Sequence, residues 1–169
     1  MIIILMGVSG SGKTTVGRLL AKELGWPFYD GDDFHPPANV EKMRAGIPLD
    51  DGDRAGWLAS LQNLIRQKID AGQHAILACS ALKQKYRERL RQDRPHEVRF
   101  VYLKGDFALI QQRLQMRRHH YMNPNLLQSQ FDTLEEPAAP AEALTIDIAK
   151  GSQTIVKIIV GEWQQRNKK

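Results

Sequence analysis

The sequence predicts an α/β protein of three layers, an αβα sandwich with helices on both faces of a central five-stranded parallel sheet. Short apolar runs alternate with amphipathic helical stretches along the whole chain, as they do where helical crossovers join parallel strands. The first run, Ile2–Met6, is apolar at every position, which suits a strand covered on both faces. The 169 residues suit a single domain, read as residues 1–169, and no linker divides them. With 42% apolar and 25% charged residues, the chain is neither a disordered tail nor collagen-like.

The elements follow in order. Ile2–Met6 ends at Gly7. Over Lys13–Leu24, Val16, Leu19, Leu20, Ala21 and Leu24 share one helical face, and Gly25 closes it. A short second strand is expected over 27–30. A short helix over 38–45 stops at Gly46. A longer helix over 54–71 turns Leu58, Leu61, Leu64, Ile65 and Ile69 inward and stops at Gly72. The third strand is expected over 74–79, with Ser80 as N-cap of a helix over 81–92. A fourth strand over 98–103, a helix over 107–118, a fifth strand over 145–148 and a closing helix over 153–166 complete the pattern. The stretch 135–140, with Pro137 and Pro140, reads as a surface loop.

Cys79 is the only cysteine, which excludes an internal disulfide and a cysteine-based zinc site and reads as a small buried apolar residue. No apolar run reaches the roughly 18 residues that span a bilayer, and no basic segment precedes Ile2–Met6. A cytoplasmic address without membrane contact is the expectation. The net charge of +5 is uneven: residues 61–130 hold 13 basic and 5 acidic residues. The run Lys83, Lys85, Arg87, Arg89, Arg91, Arg94 is either a solvated helix face or an RNA-binding surface. No nucleic-acid module and few aromatics accompany it, so no nucleic-acid partner is expected.

The octet Gly7-Val8-Ser9-Gly10-Ser11-Gly12-Lys13-Thr14 fits G-x-x-x-x-G-K-[ST] in full, between a strand and a helix. Its glycines let backbone N–H groups turn around a phosphate, and the following helix sets its positive end there. Lys13 reaches the β- and γ-phosphates, and the Thr14 hydroxyl ligates Mg²⁺. The chain therefore binds a nucleoside triphosphate. A GTP switch is excluded by the missing N-K-x-D segment. A motor ATPase lacks its acidic strand end, because the third and fourth strands end in Cys79-Ser80 and Lys104-Gly105. The acid must come from Asp30-Gly31-Asp32-Asp33, at the end of the second strand, where an open parallel sheet has its ligand crevice. In an extended segment Asp30 and Asp32 point the same way. One carboxylate can then serve Mg²⁺ and the other an attacking hydroxyl.

These residues carry a resemblance. The octet with Tyr29-Asp30-Gly31-Asp32-Asp33-Phe34-His35-Pro36, then Asp51-Gly52-Asp53-Arg54, Cys79-Ser80-Ala81-Leu82-Lys83, Tyr102-Leu103-Lys104-Gly105-Asp106 and Ser129-Gln130-Phe131, resembles the gluconate kinase family over about residues 3–148. The resemblance implies ATP-dependent phosphorylation of D-gluconate at its terminal hydroxyl. It also implies a P-loop kinase fold of the nucleoside-monophosphate-kinase type, a mobile lid over about 117–130, and commonly a homodimer. In that frame Thr14 and Asp30 serve Mg²⁺, and Asp32 is the base or orienting acceptor. Arg44, Arg54 and Arg87 are candidates for the substrate carboxylate, Arg54 foremost, unless it pairs with Asp50 or Asp51. His35 either donates to a sugar hydroxyl or packs on Pro36, and Lys83 either meets substrate or faces solvent. Arg113 and Arg117, four apart on one helix face, close over the triphosphate, with Arg117 stabilising the transferring group, or form a solvated helix end. The lid text Arg117-Arg118-His119-His120-Tyr121 departs from the family's usual Gly-His-Phe after a basic pair. Two rivals stand beside this reading. One is another hydroxy-acid kinase such as shikimate kinase; the other is a non-catalytic ATP-binding module associated with RNA.

Overall fold

The computed structural model describes residues 1–91, 94–116, 124–138 and 140–166. Five strands, β1 (Ile2–Met6), β2 (Phe28–Asp30), β3 (Ala75–Ala78), β4 (Val98–Lys104) and β5 (Leu144–Asp147), form one sheet in the order β2-β3-β1-β4-β5. Every neighbouring pair is parallel. Seven α-helices pack around it among the described residues: α1 (Lys13–Leu24), α2 (Pro37–Arg44), α3 (Asp51–Asp70), α4 (Gln84–Arg91), α5 (Phe107–Gln115), α6 (Pro124–Thr133) and α7 (Ser152–Arg166). This is the three-layer arrangement that the alternation predicts.

The alternation of β1 assigns each face. Ile2, Ile4 and Met6 pack with Trp57, Leu58, Leu61 and Ile65 of α3 and Tyr86 and Leu90 of α4. Ile3 and Leu5 point the other way, onto Val16 and Leu20 of α1, Ile110 and Leu114 of α5, and Ile155 and Ile159 of α7. Both faces are thus dry, which is why β1 has no polar position. Cys79 lies in the first cluster, and burial pushes its thiol pKa up to about 12, so it stays protonated at neutral pH.

Two expectations need correction. Helix α3 starts three residues earlier than the apolar spacing predicts. Asp50 accepts from Asp53 N and the Asp53 carboxylate accepts from Asp50 N, a reciprocal capping box that sets the start. Ser80 does not cap the next helix. Residues 80–83 form a turn in which Ala81 takes a positive φ of 43°, and α4 begins only at Gln84. Its Gln84 N donates to the Glu135 carboxylate, an acceptor 51 residues away. Of the expected lid, 124–130 belongs to the helix α6, and 117–123 lies outside the described residues.

The strand order places the site. β1 is central, and the chain leaves it first toward β2 and β3, then later toward β4 and β5 on its other side. A crevice opens where such a sheet changes direction, beyond the carboxyl ends of the strands.

Candidate active site

The phosphate loop follows β1 directly. Gly7 N donates to Ser80 O, which ties the loop to the end of β3. At Gly10, φ is +83°, and a Cβ there would lie 2.9 Å from Leu114, so this turn needs glycine both for its backbone and for the approach of α5. Lys13 Nζ donates to Gly7 O at 3.0 Å and Val8 O at 2.9 Å, which folds the side chain back along the inner edge of the loop.

The acidic segment meets the loop from β2. Asp30, the last residue of β2, accepts from Thr14 Oγ1 at 2.8 Å through Oδ2 and from Asp32 N at 3.1 Å through Oδ1. Residues Gly31–Phe34 form a 3-10 turn, so Asp30 and Asp32 are not two positions of one extended strand. They still serve one place, because the turn carries Asp32 into the cleft while Asp30 holds the Thr14 hydroxyl. Gly31 makes the turn possible: a Cβ there would meet Ala78 O at 2.5 Å. Its carbonyl accepts from Trp57 Nε1 at 2.7 Å, which fixes α3 against the turn.

Lys13, Asp32, His35 and Arg54 line one cleft with Ser9, Trp57, Ser80, Leu126 and Gln130. His35 stacks on Trp57, with ring centroids 4.4 Å apart and an interplanar angle of 12°. Asn39, 3% exposed, donates from Nδ2 to Asp53 O at 2.8 Å. The same nitrogen lies 3.3 Å from His35 Nδ1. An amide nitrogen only donates, so Nδ1 is the acceptor and the ring proton sits on Nε2. Burial lowers the His35 pKa, assisted by Arg54 and opposed by Asp32, and this favours that neutral tautomer. His35 is thus built as a single N–H donor, and its packing partner is Trp57 rather than Pro36.

Arg54 has no carboxylate partner among the described residues. Asp50 is occupied by the cap, and Asp51 accepts from Lys83, Lys85 and the Tyr86 hydroxyl. Arg54 instead lies over the Tyr86 ring, 5.7 Å from its centroid. Three hydrogen-bond donors around Asp51, Lys85 first, hold its carboxyl well below the usual range, so the hub stays ionised.

The other candidates are placed elsewhere. Arg87 is 2% exposed; it donates to Glu142 Oε1 from Nε at 2.8 Å and Nη2 at 2.6 Å, and to the carbonyls of Ala81 and Leu82. Those partners satisfy its guanidinium, and Arg87 is not among the cleft-lining residues. Lys83 is engaged by Asp51, and neither it nor the exposed Arg44 is among the cleft-lining residues. Arg113 donates to Ile148 O at 3.0 Å and lines a hollow on the other side of the loop, with Gly10, Ser11, Gly12, Thr15 and Ser152. Arg117 lies outside the described residues. Gln130 is the residue that sequence reasoning missed as a site: its Oε1 accepts from Ser9 N at 2.6 Å.

The donor set fits Mg²⁺. The ion takes oxygen ligands and usually shares one or two carboxylates with substrate phosphates, and the Thr14 hydroxyl and Asp30 carboxylate stand side by side at the loop. No group of three or more His, Cys, Asp or Glu side chains forms an all-protein metal cage among the described residues.

Known proteins supply the comparison. The chain matches the shikimate kinase family over residues 9–160. It is 47% identical to the probable gluconokinase of Xenopus tropicalis, across 98% of this chain and 95% of that protein. It is 44% identical to the gluconokinase of Gluconobacter oxydans, across 96% and 90%. The crystal structure of a gluconokinase from Sinorhizobium meliloti superposes with a TM-score of 0.82 at 41% identity, covering 92% of this chain and 86% of that one.

Proposed function

The chain belongs to the gluconokinases, within the wider shikimate kinase family, and from that premise we propose how its residues perform the reaction. The enzyme transfers the γ-phosphoryl group of ATP to the terminal hydroxyl of D-gluconate, giving ADP and 6-phospho-D-gluconate. The observation that carries the assignment of roles is the convergence of Lys13, Asp32, His35 and Arg54 on one cleft beside the phosphate loop.

Lys13 and the amides of Val8, Gly10 and Gly12 hold the β- and γ-phosphates, while the N–H groups of Gly7, Ser9 and Ser11 shape the loop by donating to Ser80 O, Gln130 Oε1 and Val8 O. The hollow lined by Arg113 takes the nucleoside end. Thr14 and Asp30 hold Mg²⁺, which when bound neutralises charge on the phosphates. Arg54 takes the gluconate carboxylate, having a planar fork of donors and no acid partner among the described residues. His35 donates from Nε2 to a substrate hydroxyl. Asp32 accepts the proton of the terminal hydroxyl as its oxygen bonds to phosphorus and the bond to the β-phosphate oxygen breaks. In a loose transition state, orienting that hydroxyl counts for more than removing its proton early. Arg117 keeps the charge-stabilising role that the resemblance gives it. Homodimeric assembly, a single domain over 1–169 and a cytoplasmic location, where ATP is at hand, complete the proposal.

The shikimate rival shares the fold family but not the level of identity to gluconokinases. The RNA rival is weakened by the basic run itself. Lys83 and Lys85 pair with Asp51, Arg87 with Glu142, and Arg94 with Asp70 and Glu97. ADP release from Mg-ATP with D-gluconate, shikimate or neutral polyols tests the function. Gluconate-dependent turnover is expected, abolished in Lys13→Ala and reduced about 10²- to 10⁴-fold in Asp32→Asn. Turnover with shikimate and none with gluconate would overturn the substrate.

A further inference from the structure

The phosphate loop has a tie to a distant helix. Ser9 N donates to Gln130 Oε1 at 2.6 Å, across 121 residues of sequence. A backbone N–H can only donate, so the amide of Gln130 must present its oxygen, which fixes how that side chain is turned. Ser9 sits between Gly7 and Gly10, whose φ values are +142° and +83°. A two-residue stretch, Val8-Ser9, between glycines of positive φ is permissive, and an external bond at Ser9 restrains it.

The helix that makes the tie is itself anchored. In α6, Leu127 is 2% exposed within the core, and Phe131 packs on Phe107 with ring centroids 5.3 Å apart. Leu126 and Gln130, one helical turn apart, lie on the adjoining face of the helix and line the cleft with Lys13, Asp32, His35 and Arg54. One wall of the acceptor cleft is therefore registered onto the phosphate loop by the Ser9–Gln130 hydrogen bond.

We propose that Gln130 is a positioning residue for phosphoryl transfer: its Oε1 holds the Ser9 amide and α6 in register, so that the γ-phosphoryl group meets the gluconate hydroxyl rather than water. The inference deepens the gluconokinase reading and rests on it. Transfer to gluconate forms a bond from its terminal oxygen to phosphorus, breaks the bond to ADP and leaves the proton on Asp32. Transfer to water breaks the same bond and releases inorganic phosphate and a proton. The two outcomes share the leaving group and differ only in which oxygen is in line, and small misplacements at that stage cost large factors in rate.

Two variants separate positioning from structure. Gln130→Met keeps the length of the side chain and removes the acceptor; Gln130→Glu keeps an acceptor oxygen. Each is assayed on the full chain with Mg-ATP and gluconate for kcat, KM of both substrates, thermal midpoint, and inorganic phosphate released per 6-phosphogluconate formed. For the Met variant kcat should fall about 10- to 100-fold, by the cost of misplacement. The phosphate fraction should rise several-fold with the midpoint unchanged. The Glu variant, whatever its added charge does to kcat, should keep the wild-type partition. A Met variant with wild-type kcat and partition, or one whose midpoint falls while its partition holds, would overturn the proposal. Wild-type turnover of gluconate, measured in the same series, tests the underlying reading separately: its absence overturns both, whereas an unchanged Met variant overturns the tie alone.

Discussion

The first turn of α3 and the inward face of α4 each present an arginine, and their surroundings are opposite. Arg54 is half-buried at the cleft, leaning on the Tyr86 ring, with no carboxylate partner among the described residues. Arg87 is buried, with Glu142 on two of its nitrogens and the carbonyls of a strained turn on the third. A guanidinium buried without an acid would be costly, so Glu142 is a condition of the fold there. A guanidinium left without an acid beside a phosphate loop can take a substrate's carboxylate. The side chain is the same in both places, and the presence of a local acid decides whether it serves the fold or the ligand.

Substitutions can break this contrast. The largest effect is expected for Arg87→Ala, which leaves Glu142 and two turn carbonyls without their donor. Breaking a buried pair costs about 3–5 kcal/mol, equivalent to about 10 °C in thermal midpoint for a chain this long. The gluconate KM of the folded fraction should stay within about threefold, given that structural contacts away from the cleft leave substrate contacts intact. A raised KM with an unchanged midpoint would place Arg87 at the substrate after all. Next comes Arg54→Ala, where the reverse is expected. Losing charge-assisted bonds to a carboxylate costs about 1.5–3 kcal/mol, so gluconate KM should rise on the order of 10- to 150-fold while the midpoint moves little.

The smallest effect concerns pH. The pKa of His35 is depressed below 6.5 in the folded chain. Below 6.5 the unfolded state takes up the proton first, so this group's contribution to stability is complete above 6.5 and is lost as pH falls toward the folded pKa. Gluconate affinity should hold until pH passes below that lowered pKa, where protonation of Nδ1 sets two donors, His35 and Asn39, against each other. Gluconate KM measured from neutral pH to about pH 5 should rise in the wild type and stay flatter in His35→Asn; parallel profiles would remove the assignment.

The contrast also marks what was legible in sequence. Residues whose partners are near in the chain could be read: β1, the octet and the bounds of α1 follow from consecutive residues, and the acidic strand end is only 16 residues beyond Thr14. Residues whose partners are remote could not. Arg87 looks like any cation of a basic run until Glu142 arrives from 55 residues away. Gln84 receives its cap from Glu135, and a local reading naturally gave that role to Ser80. Gln130 carries no charge, and although it stands in the Ser129-Gln130-Phe131 text of the resemblance, only the folded chain brings it to Ser9. The start of α3 is an exception, because the Asp50–Asp53 capping box is local, while the apolar spacing alone places the start at Arg54. The Pro124 that opens α6 is a further local signal, since proline suits the first helical position.

The central claim is that gluconate lies in the cleft with its carboxylate on Arg54 and its terminal hydroxyl at Asp32. The most direct test compares kcat/KM for gluconate with that for the neutral hexitol that bears a CH₂OH group in place of the carboxylate. The wild type and Arg87→Ala should prefer gluconate by the same large factor, and Arg54→Ala should lose most of that preference. Retention of the preference in Arg54→Ala, or its loss in Arg87→Ala, would contradict the account.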